Sequence, residues 1–557
     1  MNDENRHIEQ LINESRYFEA HQEIDVKLQS NPDEERLQQM KALVLSKLGD
    51  PKDAMVYFEH RWRNHNNKSE SAGIMGSIYK SMFISSEDPK FGKLSANTYL
   101  ESYNLIQDYY TGINAATMSK ITGGYKIAKE IAQQLVDMLL PIARNNWQEA
   151  SLAEAYLLLK DVDKATEHYI RTREMLKNNW GDVASIKRQL WLINHYTHVP
   201  KVIIEFFKPP TIAAFIGHML DAPDRIKPRF TPSMEKDVRA AIRSSILSLE
   251  IQVGYCSLAC GSDILFVEEM LSLNREVEIF LPFHIDDFIQ TSVAFAGDHW
   301  VERFEEVVKK SSQIHYLYNK PYSGDNYQFH LLSELLSGAA ILRAKLSQTK
   351  PILLAAISEF SLEKKTGGVR DFLNFWPNKE QTHCINIDKY KGANAVVNST
   401  ISMKRFKGLQ HINTPTKSLS FILTIDSKHI FELPTDHIEY KSLVFKGILE
   451  KGKQVFIFTR LAAILRFVKD TIFNKNLIFN GSLVIGFIDN KNKKLKENKI
   501  ISKAFALCDL SIENAIVVSE TVAFLLAMNS DELQIEYSGH INSGESDLSN
   551  VYKLLAK

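Results

Sequence analysis

Along the first two hundred residues, apolar and polar positions follow the period of helices and recur at a longer interval. In Arg16-Tyr-Phe-Glu-Ala20 and Asp50-Pro-Lys-Asp-Ala54 the two alanines lie 34 residues apart, with Asn31-Pro32-Asp33 at the turn between them. The pattern returns as Leu48-Gly-Asp-Pro-Lys-Asp-Ala54-Met-Val-Tyr-Phe58 and Leu159-Lys-Asp-Val-Asp-Lys-Ala165-Thr-Glu-His-Tyr169, with Ala42 and Ala153 at a matching offset. A small residue lets a neighbouring helix approach, and an aromatic four positions on fills the space beside it. This period predicts stacked helix pairs, each covering the face its neighbour leaves open. Over residues 70–140 the pattern is degenerate.

The periodicity changes near residue 205, where Lys208-Pro-Pro210 interrupts the helices. Strands are predicted at Thr211–Ile216, Gln252–Tyr255, Val277–Leu281, Gln313–Tyr318 and Pro351–Ile357. Helices are predicted at Ser233–Leu249, Gly261–Leu273, Trp300–Lys310, Asn326–Leu346 and Gly368–Trp376. This alternation predicts a doubly wound α/β domain with a parallel sheet covered on both faces. Residues 379–417 are polar and irregular and read as a linker or extension. Strands follow at Ser418–Thr424, Gln454–Phe458, Ser482–Ile488, Ala515–Val518, Gln534–Ser538 and Val551–Leu554. Helices at Leu461–Phe473, Ile500–Leu510 and Ser519–Met528 separate them, and the charged run Asn490–Lys499 reads as a hairpin loop. The expected division is therefore 1–204, 205–378, 379–417 and 418–557: an all-α solenoid, an α/β domain, a linker and an α+β domain.

Composition narrows the function classes. Lys+Arg and Asp+Glu both number 67, so the chain has no net charge and no general electrostatic footprint for nucleic acid. Cys256 and Cys260 are the one close cysteine pair, and Cx3C without further nearby ligands is not a zinc site. Scattered cysteines and a polar start, MNDENRHIEQ, predict a cytoplasmic protein. No run of about 18 apolar residues predicts a membrane span.

In a parallel sheet, ligands bind at the carboxyl ends of the strands. The first predicted strand is followed by Gly217, His218, Asp221 and Arg225, the second by Gly261, Ser262 and Asp263. The third leads to Asp286, Asp287, Thr291 and Ser292, and Gly367 and Gly368 precede the last helix. Glycine permits close backbone approach. Gly261 and Ser262 open a helix whose N–H groups suit a phosphate. A carboxylate at Asp263 suits ribose hydroxyls, and Arg225 suits a phosphate. Asp263, Asp286 and Asp287 are the residues available as general acids or bases if the cleft is catalytic. The structural alternatives are a first-turn helix charge for Asp263, loop histidines, and glycines that only make turns.

Three resemblances follow from these residues. The 34-residue period resembles the tetratricopeptide repeat, and residues 1 to about 195 resemble the repeat region called the TRAFs-binding domain. That resemblance implies a protein partner. The segments GHMxDxPxR, SLACGSDILF and LPFxxDDFIxTSV resemble SLOG-type Rossmann-like domains, which bind or process nucleotide-derived ligands. Some members are phosphoribohydrolases with a PGGxGTxxE loop. Thr366-Gly-Gly368 is the nearest piece here, and it lacks the following glutamate.

The carboxyl-terminal segment resembles class III nucleotidyl cyclases, of ferredoxin-like α+β fold. The resemblance rests on Leu423-Thr-Ile-Asp426, on Gly452-Lys453-Gln454, on Ile501-Ser-Lys-Ala504-Phe-Ala-Leu507 and on Ala515-Ile-Val-Val-Ser519-Glu520. It implies two carboxylates that hold Mg²⁺. Asp426 stands at the first of those positions and Lys453 at the second, while Ser502 and Ala506 replace the family's asparagine and arginine. The resemblance therefore implies a site without cyclase chemistry or Mg²⁺, and a retained dimerisation surface that makes a homodimer. The combined expectation is a non-catalytic sensor of a nucleotide-type small molecule that signals through repeats and pseudo-cyclase. A role in bacterial antiviral defence is implied by resemblance alone. The alternatives are a nucleotide-processing enzyme of the N-glycosidic hydrolase type at the same cleft, and a ligand-free interaction scaffold.

Overall fold

The computed structural model describes residues 5–13, 16–49, 51–142, 145–177, 179–222, 225, 227–311, 313–347, 349–358, 369, 372–373, 376–377, 379–391, 417–432, 441–449, 452–473, 478–489, 495, 498–529, 533–542 and 548–556. The chain divides into two compact units. One is Met1–Pro209 with Glu536–Asn550; the other is Pro210–Ile535 with Val551–Lys557.

The first unit is helical. Its elements are α1 (Arg6–Asn13), α2 (Tyr17–Ser30), α3 (Glu35–Lys47), α4 (Pro51–Phe58), α5 (Lys68–Ser86), α6 (Pro89–Ile106), α7 (Tyr109–Ile121), α8 (Tyr125–Leu139), α9 (Asn146–Leu158), α10 (Val162–Leu176), α11 (Trp180–Tyr196) and α12 (Lys201–Phe206). Consecutive helices pack in pairs from α1 to α10. The repeat residues sit at the contacts: Ala20, Ala42, Ala54, Ala153 and Ala165 are fully buried, as is Phe58. The degenerate stretch forms the same pairs with glycine in place of alanine. A Cβ at Gly76 would lie 2.9 Å from the Tyr99 ring, and one at Gly112 would lie 2.7 Å from Tyr103. Caps fix the helix starts, with Asp88, Asp108, Asn145 and Asp161 each accepting a first-turn amide.

Polar side chains join alternate helices at intervals of 34 to 37 residues, and Lys80 also reaches α11, 109 residues on. Lys80 Nζ donates to Asn114 and to Gln189, 2.8 Å each, and Gln189 Nε2 donates to Glu154 at 2.7 Å. Thr117 also bonds Glu154. Burial pushes the Lys80 ammonium down and the Glu154 carboxyl up.

The second unit holds a parallel sheet and most of a mixed one. Strands β1 (Thr211–Gly217), β2 (Ile251–Cys256), β3 (Glu276–Leu281), β4 (Gln313–Tyr316), β5 (Ile352–Ile357) and β6 (Thr382–Asn386) are all parallel, in the order β4-β3-β2-β1-β5-β6. The order reverses beside β1. The helices are α13 (Glu235–Ser248), α14 (Ser262–Ser272), α15 (Ile285–Ser292), α16 (Asp298–Lys310) and α17 (Tyr327–Leu346). Side chains alternate across the strands. Ala213, Phe215, Ile279, Leu354 and Ala356 join the core beneath α13, α14 and α16, where Phe215 stacks on Phe266 at 4.3 Å. The opposite face carries α17 over β1, β2 and β3.

The second sheet is mixed. Its strands are β7 (Lys417–Asp426), β8 (Leu443–Ile448), β9 (Gln454–Phe458), β10 (Asn480–Asp489), β11 (Ala515–Ser519), β12 (Leu533–Asn542) and β13 (Leu548–Ala556), in the order β12-β13-β11-β10-β7-β9-β8. β10 and β11 are parallel, whereas β7 pairs antiparallel with β10 and β9. Helix α18 (Leu461–Phe467) continues into a π-helical turn over Val468–Phe473, followed by α19 (Lys499–Asp509) and α20 (Glu520–Asn529).

Helices α17 and α20 pack along one another between the two sheets. A Cβ at Gly338 would overlap the Phe524 carbonyl oxygen, so backbone meets backbone there. Around this contact Phe280 stacks on His315 at 4.6 Å, His315 Nε2 bonds Glu278 at 2.9 Å, and Phe524 edges onto His315 at 6.0 Å. Tyr318 meets Phe487 of β10 at 5.0 Å. Among the described residues, no helix is long and apolar enough to cross a membrane.

Candidate functional site

The strands β1 and β2 end in turns that are stitched together. Leu220 N–H donates to the Cys260 carbonyl at 3.2 Å, and Ser262 N–H donates to the His218 carbonyl at 3.2 Å. Met219 and Gly261 form an isolated bridge. Gly261 holds φ +101°, and a Cβ there would lie 2.7 Å from Leu220 N, so the turn requires glycine. A Cβ at Gly217 would overlap Ser262. The Ser262 amide is thereby used inside the protein, at the very helix start where the sequence pattern suits a phosphate.

A cavity of about 410 Å³ opens at these strand ends, beside the reversal of strand order. His218 and Asp263 line it, with Arg229, Thr291 and Ser292. One helical face of α17, Phe329, Leu332, Ser333 and Leu336, forms a wall, and Phe288 and Phe372 add apolar surface. A pocket of a few hundred Å³, largely apolar with a few convergent polar groups, is the usual form of a small-molecule site.

Two titratable groups are displaced in opposite directions. Asp263 is 8% exposed; its carboxyl accepts from Ala259 N at 3.3 Å and from the Gly217 amide. Burial raises it to about 7, although both amides oppose the shift. His218 is 4% exposed and bonds the Ser358 backbone. Burial, then Arg229 and Arg225, lower it to about 4, so its ring is neutral at physiological pH. Its Nε2 is buried without a hydrogen-bond partner. The Ser358 hydroxyl in turn donates to Asp388 at 2.6 Å, and Lys391 pairs with Asp388.

Of the residues expected from sequence, Gly217, His218, Asp263, Thr291 and Ser292 come together at this cavity. Gly261 and Ser262 shape the turn behind it. Asp221 accepts from the amides of Arg229 and Phe230, at 2.6 and 2.8 Å, and pairs with Arg225 at 3.0 Å, so these two residues clasp the adjoining loop. Asp286 and Asp287 open α15, a helix absent from the elements predicted by the sequence pattern. Asp286 faces solvent near His284, and Asp287 accepts from Tyr322 N at 2.6 Å. Neither lines the cavity. Gly367 and Gly368 lie outside the described residues. Sequence reasoning misses Arg229, Asn326, Phe329 and Ser333; α17 and its N-cap bring the last three from far along the chain, and the one local signal is Arg229, four residues after Arg225.

In the mixed sheet, Ile425 is paired with Gln454, so Asp426 and Lys453 stand opposite one another one step further on. Lys453 is 1% exposed; its ammonium pairs with Asp509 and donates to the Phe505 carbonyl at 3.4 Å. Among the described residues no group of three or more His, Cys, Asp or Glu could hold a metal ion.

Residues 16–119 match the family described as Tetratricopeptide Repeats-Sensor. That segment runs from α2 to α7, and the amino-terminal helices are tetratricopeptide-like. Among solved structures, one entitled "Structure of Naa15/Naa10 bound to HypK-THB" matches at 12% identity with a TM-score of 0.23. The match covers 60% of this chain and 45% of that chain, so it spans less than half of the solved relative. Comparison with curated proteins yields no match.

Proposed function

We propose that the cavity at the carboxyl ends of β1 and β2 binds a nucleotide or nucleotide-derived ligand, and that the protein is a sensor of it. The observation that carries this reading is the cavity's composition. It combines an arginine, a neutral histidine, a shifted carboxyl and a phenylalanine-rich wall, beside the reversal of strand order. The SLOG-type resemblance of the same strand-end segments supports it, as does the sensor description of the family matched by the repeats.

The carboxyl-terminal sheet supports a non-catalytic partner to that site. Its resemblance to class III cyclases sets Asp426 and Lys453 at the two metal positions, and the register puts them opposite one another. A buried ammonium paired with Asp509 supplies a positive charge there and repels a divalent cation. In this reading the repeats engage a protein partner.

The test is thermal stability of the full chain against ribonucleotides, dinucleotide cofactors and cyclic nucleotides. A ligand of the native state at a hundred times its dissociation constant adds about 2.7 kcal/mol. The shift is expected to disappear in Ser333→Trp, which fills the cavity from α17. No shift with any of these compounds removes the sensor reading.

A second reading has one observation in its favour. A carboxyl near 7 and a neutral imidazole lining one cavity are suited to acid–base work, as in N-glycosidic hydrolysis. Release of free base from a bound nucleotide, lost in Asp263→Asn, would move the assignment from sensor to enzyme.

A further inference from the structure

We infer that the part of the cleft lined by His218 and Asp263 receives the vicinal hydroxyls of a ribose, so the site takes ribonucleotides and rejects their deoxy counterparts. This rests on the reading of the cleft as a nucleotide site and specifies which part of the nucleotide goes where.

The starting point is a buried polar atom with nothing to bond. Buried side-chain nitrogens are nearly always satisfied, and an exception calls for a cause. His218 lines the cavity, and its Nε2 has no partner. The ring is held by the backbone of Ser358, the contact that favours its protonated form, which makes His218 the donor in that bond. In the neutral ring the other nitrogen, Nε2, is then an acceptor. A group that fills this place must bring a donor and no negative charge. A hydroxyl does so; a phosphate does not.

Asp263 adds the second half. It is tied to His218 through a shared set of bonds: the Gly217 amide reaches its carboxyl, and Ser262 N–H reaches the His218 carbonyl. Ionised, the carboxyl accepts from a hydroxyl; protonated, it also donates to one. A vicinal diol offers two hydroxyls, each able to donate and accept, to two such groups lining one cavity. A phosphate is repelled by the Asp263 carboxylate and finds the Ser262 amide already used. Among the described lining residues the cation is Arg229, whose charge also reaches His218, and the apolar wall is on α17, so the phosphate end has its place next to the diol and the base has its place against α17.

The experiment is calorimetric titration of the full chain with AMP, GMP, CMP, UMP and ADP-ribose, and then with the 2′-deoxy and 3′-deoxy forms of whichever binds. Loss of either hydroxyl is expected to weaken binding at least tenfold. In His218→Phe the ribonucleotide is expected to fall to the affinity of its deoxy form, erasing the preference. Equal affinity of parent protein for ribo and deoxy forms overturns the diol assignment and leaves the cleft reading standing. Absence of binding by all five ribonucleotides overturns the diol assignment, and absence of a thermal shift with the dinucleotide and cyclic compounds as well overturns the cleft reading. Should His218→Phe fail to fold, the ligand series with the parent chain decides alone.

Discussion

His218 and Asp263 make the stability of one cleft depend on pH in opposite senses. Asp263 is raised from 3.8 to about 7, so the native state keeps a proton that the unfolded chain gives up. Stability therefore falls as pH climbs from about 4 towards 7. His218 is lowered from 6.5 to about 4, so the unfolded chain takes up a proton that the native state refuses, and stability falls as pH drops through that window. Asp263→Asn is expected to raise the melting temperature relative to the parent by an amount that grows between pH 5 and pH 7 and then levels off. A tenfold difference in proton affinity between the native and unfolded states corresponds to about 1.4 kcal/mol. A difference that stays constant with pH would mean the carboxyl is ionised throughout. Residues of this kind are legible in sequence because they follow strands directly. Arg229 and Phe329 are not, because only the tertiary fold brings them to the same cavity. Asp286 and Asp287 read as chemistry from their acidity and their place after the third strand, whereas the first turn of a helix favours such charges by itself.

At the scale of elements, the strongest test lies in two helical glycines. In a helix interior alanine is ordinarily better than glycine by about 1 kcal/mol. At Gly181, in the first turn of α11, where an added Cβ would meet nothing closer than 3.7 Å, Gly181→Ala is expected to stabilise by a smaller amount, about 0.5 kcal/mol. At Gly338 the sign reverses: Gly338→Ala forces α17 from α20 and is expected to cost about 1–3 kcal/mol, as overpacking does. Chemical denaturation of both variants checks the pair, and a stabilised Gly338→Ala would contradict the backbone contact. The central strands and long helices are legible because their apolar runs are buried on both sides. The strands β6 and β8 escape the sequence pattern, and both sit at sheet edges, where half-solvated positions dilute it. The middle repeats read as degenerate because Gly76 and Gly112 do the work of alanine for larger aromatic neighbours.

At the scale of the molecule, the homodimer implied by the cyclase resemblance makes a plain demand on mass. Light scattering at micromolar concentration is expected to give twice the 63.7 kDa of the chain. A monomeric mass overturns that implication and leaves the cleft proposal untouched. A second whole-molecule property is already built in at Gly338. Where two layers meet through side chains, small movements are absorbed as rotamers turn and gaps reopen. Gly338 has no rotamer to turn, and it faces a carbonyl oxygen that is itself fixed in a helix. The joint between α17 and α20 is therefore closed at this point to any residue with a Cβ, and the spacing of the two helices is set there by main chain alone.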